Sequence, residues 1–280
     1  MKWTMTTATY RFHLYAFDEL ASIAKRSGFE AIELWEPHLL RHRQQIARYQ
    51  YADNDIPILV LSGYLDATDA SLSATAWRKA LKEKLLSCQA LSIPCLRLFT
   101  GNLSSEAAQE SDWFRFIERL NWAQELAEQM KVDVVFETHP GTLLDQEAAV
   151  ERFLTIIEHE QWTRIGLNFD AFHVWEFDAN PASCLRRWYP HVRHVHLKSA
   201  RVRTKQFAFH NVYHPAGQFD DLCPLDEGVY DIEPLLRHLQ QQQYSGGLTL
   251  EWFGLPAEQQ FRAEITRMQH YTSQTRELFA

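Results

Sequence analysis

Four short segments of this chain end on residues that can bind a metal or move a proton. Val135-Phe136-Glu137-Thr138-His139, Leu167-Asn168-Phe169-Asp170 with His173 just beyond, His194-Val195-His196-Leu197-Lys198 and Leu250-Glu251-Trp252 deliver a Glu, an Asp, a His and a Glu. Each of these residues closes an apolar, β-branched or aromatic run. A carboxylate placed there is costly to desolvate unless it is paired or bound to a cation. Three such carboxylates brought together would also repel one another. One divalent cation removes both difficulties. Oxygen donors with a single imidazole suit Mn²⁺, Mg²⁺ or Co²⁺ better than a structural zinc site, which favours Cys and His. The pattern therefore predicts one divalent metal ion on Glu137, Asp170, His196 and Glu251. A lone strand-end residue of this kind is more often solvated or ion-paired; recurrence on four consecutive runs carries the argument. Period two places His194, His196 and Lys198 on one face of their strand. His196 and Lys198 lie nearest its end, and His194 is expected to stay in the interior.

A second set could surround a substrate. Arg11 follows the first run, Glu33 and His38 flank the second, Tyr64 follows the third, and Arg97 lies inside Cys95-Leu96-Arg97-Leu98-Phe99. An arginine in so apolar a strand needs a partner, either a bound carboxylate or a protein carboxylate such as Glu137. Arg97 and Lys198 together would give an acidic chain a local site for a small anionic substrate. Asn211-Val212-Tyr213-His214 lies in a long irregular stretch that could close over that site. Trp35, Trp175 and Trp252 are read as packing at the rim.

The elements that must position these residues alternate regularly. Eight strand-like runs occur, at Thr6–His13, Phe29–Trp35, Ile56–Ser62, Cys95–Thr100, Val132–Thr138, Arg164–Phe169, Val192–Lys198 and Leu248–Trp252. Segments with helical period lie between them. One starts at Ala16, with Asp18 as its expected N-cap and Gly28 as its stop. Others cover Ser71–Leu91, Ser111–Met130, Asp145–Glu158, Asp231–Gln241 and Ala257–Leu278. Strands separated by helices pair in parallel through crossovers. Eight such units predict an α/β fold, a (β/α)8 TIM barrel forming a single domain over residues 1–280, with its active site at the C-terminal strand ends. The stretch Ser199–Tyr230 shows little pattern and follows the seventh strand, which suggests a lid or substrate loop.

Composition narrows the function. The chain has 280 residues, 28 basic and 36 acidic, for a net charge of −8, and 46 % of it is hydrophobic. This argues against a nucleic-acid partner, which needs a basic footprint. No run is long enough for a membrane span, and the N-terminus has no secretory signal pattern. The four cysteines, Cys88, Cys95, Cys184 and Cys223, form no C-x-x-C pair and are expected to be reduced thiols, in keeping with a cytoplasmic location. There is no G-x-G-x-x-G, G-x-x-x-x-G-K-[ST] or G-x-S-x-G, so dinucleotide, P-loop and hydrolase-elbow chemistry lack support. The outer helix faces are compatible with a homodimer and equally with a monomer.

Phe29-Glu30-Ala31-Ile32-Glu33-Leu34-Trp35, the Glu137, Asp170, His196 and Glu251 set, and Asp170-x-x-His173 resemble the xylose-isomerase-like barrel superfamily. Within it, the chain is similar to bacterial metal-dependent 3-dehydroshikimate dehydratases of the type that feeds catecholate siderophore synthesis. The resembling segments include Tyr64-Leu65-Asp66, Glu137-Thr138-His139-Pro140, His173-Val174-Trp175-Glu176, His196-Leu197-Lys198, Asn211-Val212-Tyr213 and Leu250-Glu251-Trp252-Phe253-Gly254. They span most of the chain in order. The resemblance implies loss of water from 3-dehydroshikimate to give 3,4-dihydroxybenzoate, with the metal roles on the four residues above. Arg11, Glu33, His38, Tyr64, Arg97, His173, Asn211 and Tyr213 are expected around the substrate. The elimination needs a base beside the ketone and an acid for the departing hydroxyl, roles shared between His139 and Lys198 in an order left open. The metal would stabilise charge on the ketone oxygen, and Arg97, with Arg11, would hold the carboxylate. A sugar or sugar-phosphate isomerase or epimerase would use the same metal residues and is the alternative.

Overall fold

The computed structural model describes residues 1–52, 56–201, 221–254 and 257–277. Eight parallel strands form a closed barrel in chain order. They are β1 (Lys2–Thr6), β2 (Ala31–Trp35), β3 (Ile58–Ser62), β4 (Cys95–Leu98), β5 (Asp133–Glu137), β6 (Ile165–Asp170), β7 (Val192–Leu197) and β8 (Gly247–Leu250). The helices between and after them are α1 (Phe17–Arg26), α2 (Glu36–Tyr51), α3 (Ala74–Ala90), α4 (Glu110–Met130), α5 (Glu147–Glu160), α6 (Ala171–Glu176), α7 (Pro181–Trp188), α8 (Glu233–Gln241) and α9 (Ala257–Glu277). The predicted (β/α)8 class is the observed one. The chain forms two compact units, one of Met1–Ile58 with Val195–Ala280 and one of Leu59–His194.

Local sequence explains where the elements start and stop. Helix α1 buries Phe17, Leu20, Ala21, Ile23 and Ala24 along one stripe. The Glu19 carboxylate accepts from the Ala16 N–H at 2.7 Å, so Ala16, and not Asp18, is the N-cap. Gly28 at φ +87° ends that helix as expected. Ser73 caps α3, and Asn180 with Pro181 opens α7.

Strand periodicity then sorts side chains between two faces. Phe136 packs on Phe116 and Phe153 of α4 and α5, with ring centroids 5.5 and 6.0 Å away. Its neighbour Glu137 therefore takes the opposite face of β5. Phe169 packs on Trp188 of α7, which leaves Asn168 and Asp170 on the opposite face of β6. The register pairs Glu137 with Asn168, Arg97 with Val135, Thr6 with Glu33 and His196 with Thr249.

The first run is corrected. The strand lies over Lys2–Thr6, paired with β2 and β8, and Thr7–Tyr10 forms a 3-10 turn. The Thr6 hydroxyl caps that turn by accepting from the Ala8 N–H at 3.3 Å. Arg11 thus follows a helical turn, not a strand. Three helices were not anticipated. One is α2, which opens directly after β2 with Pro37 in its first turn. The others are α6 and α7, both too short to show a clear period.

The stretch after β7 is described at its two ends. Ala200 forms an antiparallel bridge with Leu222. The Arg201 N–H donates to the Asp221 carbonyl at 2.9 Å, and Cys223 N–H to Ser199 at 3.2 Å. Val229 N–H donates to Ala200 at 3.0 Å. These bonds make a neck. A Cβ on Gly228 would lie 1.7 Å from the Ser199 Oγ, so glycine is needed there. Asn211, Val212, Tyr213 and His214, with most of the expected lid, lie outside the described residues. All four cysteines are buried and outside any disulfide. No helix among the described residues is long and apolar enough to cross a membrane.

Candidate active site

In the unit of Met1–Ile58 and Val195–Ala280, β2, β7 and β8 bring a buried polar chain together. Glu33, His196, Lys198, Thr249 and Glu251 are each at most 4 % exposed. The His196 Nε2 lies 2.9 and 3.2 Å from the two Glu33 carboxylate oxygens. The Thr249 hydroxyl donates to Glu33 Oε2 at 2.6 Å. On the other side of the ring, His196 Nδ1 is 3.4 Å from Glu251 Oε1. The second oxygen of Glu251 accepts from Lys198 Nζ at 2.6 Å. The Tyr230 hydroxyl ties the Lys198 carbonyl at 2.6 Å, fixing the backbone that carries the ammonium.

Two more expected residues belong to this unit. Arg11 donates to the carbonyls of Ala8 and Thr9 at 3.3 and 3.4 Å. Its guanidinium carbon lies 4.6 Å over the Phe12 ring and 4.8 Å over Phe253. His38, in α2, is buried edge-on to Trp35. Burial, with His42 and Arg41 nearby, pushes its imidazole down to about 4. Trp35 and Trp252 pack against Ala8, Leu222 and Phe253, as expected of rim tryptophans.

In the unit of Leu59–His194, β4, β5 and β6 supply the remaining groups. Arg97 Nε is 3.0 Å from Glu137 Oε2, both groups being buried. Glu137 is the protein carboxylate expected as one partner of Arg97. The Thr138 hydroxyl accepts from the Asp170 N–H at 3.0 Å and pins the end of β6. Asp170 Oδ1 caps α6 by accepting from the His173 N–H at 3.0 Å. That cap is why a helix starts immediately after β6. His173 is buried, with Nδ1 2.5 Å from Glu176 Oε2 and Nε2 3.8 Å from Asp170 Oδ2. Ligand atoms of Glu137, Asp170 and His173 all lie within 4.8 Å of one another. Buried oxygen and imidazole donors without a thiolate fit a divalent cation.

An aromatic row borders this group. Tyr64 is 6.0 Å from Phe99, Phe99 is 4.7 Å from His139, and His139 is 4.5 Å from His173, by ring centroids. Arg97 lies over Phe99 at 4.5 Å. His139 Nδ1 is 2.7 Å from the Pro140 carbonyl. A carbonyl only accepts, so Nδ1 carries the proton and Nε2 the lone pair of the neutral ring.

Thr138, Thr249, Glu176, Tyr230 and Asn168 were not singled out in the sequence. Thr249 sits two residues before Glu251 and Thr138 one after Glu137, so each threonine could have been flagged as supporting a strand-end acid. Glu176 lies three residues after His173, the spacing that pairs side chains on one helix face. Asn168 is fully buried, and its side-chain amide has no hydrogen-bond partner among the described residues. No local signal marks Tyr230.

Comparison with known proteins adds an independent line. The family model for the xylose isomerase-like TIM barrel matches residues 21–271. The chain is 28 % identical to a 3-dehydroshikimate dehydratase of Bacillus anthracis, over 95 % of each chain. It is 24 % identical to an inosose dehydratase of Klebsiella pneumoniae, over 84 % of this chain and 82 % of that one. Among solved structures, the probable 3-DHS dehydratase AsbF of Bacillus anthracis, described as involved in petrobactin synthesis, superposes with a TM-score of 0.87. The identity there is 25 %, over 96 % of this chain and 99 % of that one.

Proposed function

The chain belongs to the xylose isomerase-like TIM barrel family, and from that premise we propose that it is a metal-dependent 3-dehydroshikimate dehydratase. As such it is a carbon–oxygen lyase that removes water from 3-dehydroshikimate to give 3,4-dihydroxybenzoate. The near-full-length similarity to a dehydratase of that name supports the substrate. The observation that carries the chemistry is the Lys198–Glu251 contact, a buried ammonium joined directly to a strand-end carboxylate. Residues 1–280 are taken as one barrel domain.

The proposed metal ligands are Glu137, Asp170, His196 and Glu251, on the ends of four consecutive strands. In a closed parallel barrel the carboxyl ends of all strands share one face. Bound there, Mn²⁺, Mg²⁺ or Co²⁺ would supply Lewis-acid stabilisation of negative charge on the substrate's ketone oxygen.

The chain's own residues do the rest. Arg97, with Arg11, holds the substrate carboxylate; a guanidinium carries five donors, so its Nε contact with Glu137 is one among several. His139 Nε2 has the lone pair needed to take the proton beside the ketone. Lys198 is the acid that delivers a proton to the departing hydroxyl. His38, Tyr64 and His173 line the substrate, and Asn211 and Tyr213 are proposed to join them from the long loop. No nucleic acid or membrane enters the reaction. Four buried thiols outside any disulfide are in keeping with the proposed cytoplasmic location, and size-exclusion chromatography decides between monomer and homodimer.

The test is direct. Chelator-stripped protein is mixed with 3-dehydroshikimate, with and without each metal, and the ultraviolet band of the catechol product is followed. Metal-dependent product is expected. Folded, metal-loaded protein that forms none would overturn the assignment in favour of a sugar or sugar-phosphate isomerase or epimerase.

A further inference from the structure

We infer that Glu33 is a positioning residue for the metal site, choosing which nitrogen of His196 faces the ion. This rests on the proposal that His196 binds a divalent metal. It differs from the substrate contact that the sequence suggested for Glu33.

An ionised carboxylate can only accept hydrogen bonds. Both Glu33 oxygens lie within 3.2 Å of His196 Nε2, so that nitrogen carries the proton. In the neutral ring the lone pair is then on Nδ1, the nitrogen 3.4 Å from Glu251 Oε1. Two donor atoms at that separation are neighbours around one ion when each bond is about 2.1 Å. Glu33 thereby sets the tautomer and turns the ring so that its lone pair points toward a second ligand. Its negative charge also makes the imidazole a stronger donor.

Glu33 is in turn held in place. Thr249 donates to Oε2 at 2.6 Å from β8, the strand that leads to Glu251. Thr249 is also the register partner of His196. The histidine, its orienting acid and that acid's own anchor therefore come from three strands and move together. Glu33 is completely buried in the middle of β2, a place where a carboxylate needs such partners to remain charged.

The test uses no substrate. Wild type, Glu33→Gln and Thr249→Val are stripped of metal, then titrated with Mn²⁺ against a competing chelator, and the thermal midpoint of each stripped protein is recorded. Glutamine keeps the shape and an accepting oxygen but loses the charge. We expect Glu33→Gln to weaken Mn²⁺ binding by about 10- to 100-fold, with a stripped midpoint within a few degrees of wild type. Thr249→Val should weaken it less. Histidine-¹⁵N spectra of stripped protein, with the His196 signal identified by its loss in His196→Asn, should show the Nε2–H form in wild type. Unchanged Mn²⁺ affinity in Glu33→Gln, or an Nδ1–H His196, overturns the role. Wild type that binds no Mn²⁺ overturns the metal reading and this role together. Normal metal results without turnover of 3-dehydroshikimate count against the substrate alone.

Discussion

Lys198 Nζ and Glu251 Oε2 are 2.6 Å apart, both almost wholly buried. With Glu251 proposed as a metal ligand, the ammonium would draw on the same carboxylate charge as the ion. Lys198→Met should lower turnover by at least about 100-fold, the usual range for a lost proton donor. It should also tighten Mn²⁺ binding, because the competing ammonium is gone. Steady-state kinetics with a chelator titration on the same preparation checks both directions. A fall in both would mean that the lysine supports the site only structurally.

Arg97 and Glu137 form the parallel pair. Removing one partner of a buried ion pair strands the other charge, at a cost of roughly 3–5 kcal/mol. Stripped Arg97→Met should therefore lose about that much unfolding free energy. Adding Mn²⁺ should return part of it, since the ion takes over the neutralisation of Glu137. Urea unfolding with and without Mn²⁺ measures the difference. If Arg97 also grips the substrate carboxylate, KM should rise at least tenfold.

His139 offers Nε2 as an acceptor because Nδ1 is engaged by the Pro140 carbonyl. His139→Ala should reduce kcat by about 10²- to 10⁴-fold while metal affinity stays near wild type. A near-normal kcat removes this residue from the proton transfer.

His38 makes a prediction about acid stability. Its folded value is near 4 against an ordinary 6.5, and burial is the main cause. Between those values the unfolded chain binds more protons than the folded one, so stability rises with pH across the window and is lost as pH falls through it. His38→Gln should flatten that slope. The wild-type disadvantage below pH 4 should approach about 3 kcal/mol. Urea titrations of both proteins at pH 4, 5, 6 and 7 provide the comparison.

Gly228 tests the neck beside Lys198. An added Cβ would meet the Ser199 Oγ at 1.7 Å and its Cβ at 2.5 Å. Gly228→Ala should cost about 1–3 kcal/mol, the range for overpacking. It should lower kcat more than metal affinity, because Ser199 adjoins the lysine. Equal kcat in the variant would uncouple the neck from the site.

Much of the proposed site is legible in the strand ends, for a simple reason. Glu137, Asp170, His196 and Glu251 stand out because charge at the end of an apolar run is improbable without a purpose. The same logic marked Arg97, and its partner Glu137 was among the options. What escaped were relationships between distant strands. Glu33 and Thr249 are 216 positions apart, and only barrel closure makes them neighbours. The first strand was misplaced because Thr-Ala-Thr-Tyr alternates like a strand, whereas a threonine cap turns it into a 3-10 segment. Helix α6 was hidden because its N-cap is Asp170 itself, one residue serving local structure and candidate chemistry alike.

The Ala200–Leu222 bridge has an evolutionary consequence. It holds residues 200 and 222 side by side, so the spacing of those two positions is set by their own backbone pairing. Loop length carries only a logarithmic cost, about 0.6 kcal/mol per doubling. A change in chain length between Ala200 and Leu222 should therefore cost little in closure while their pairing keeps its register. Variation in length there and variation at the strand ends are then separate routes open to selection.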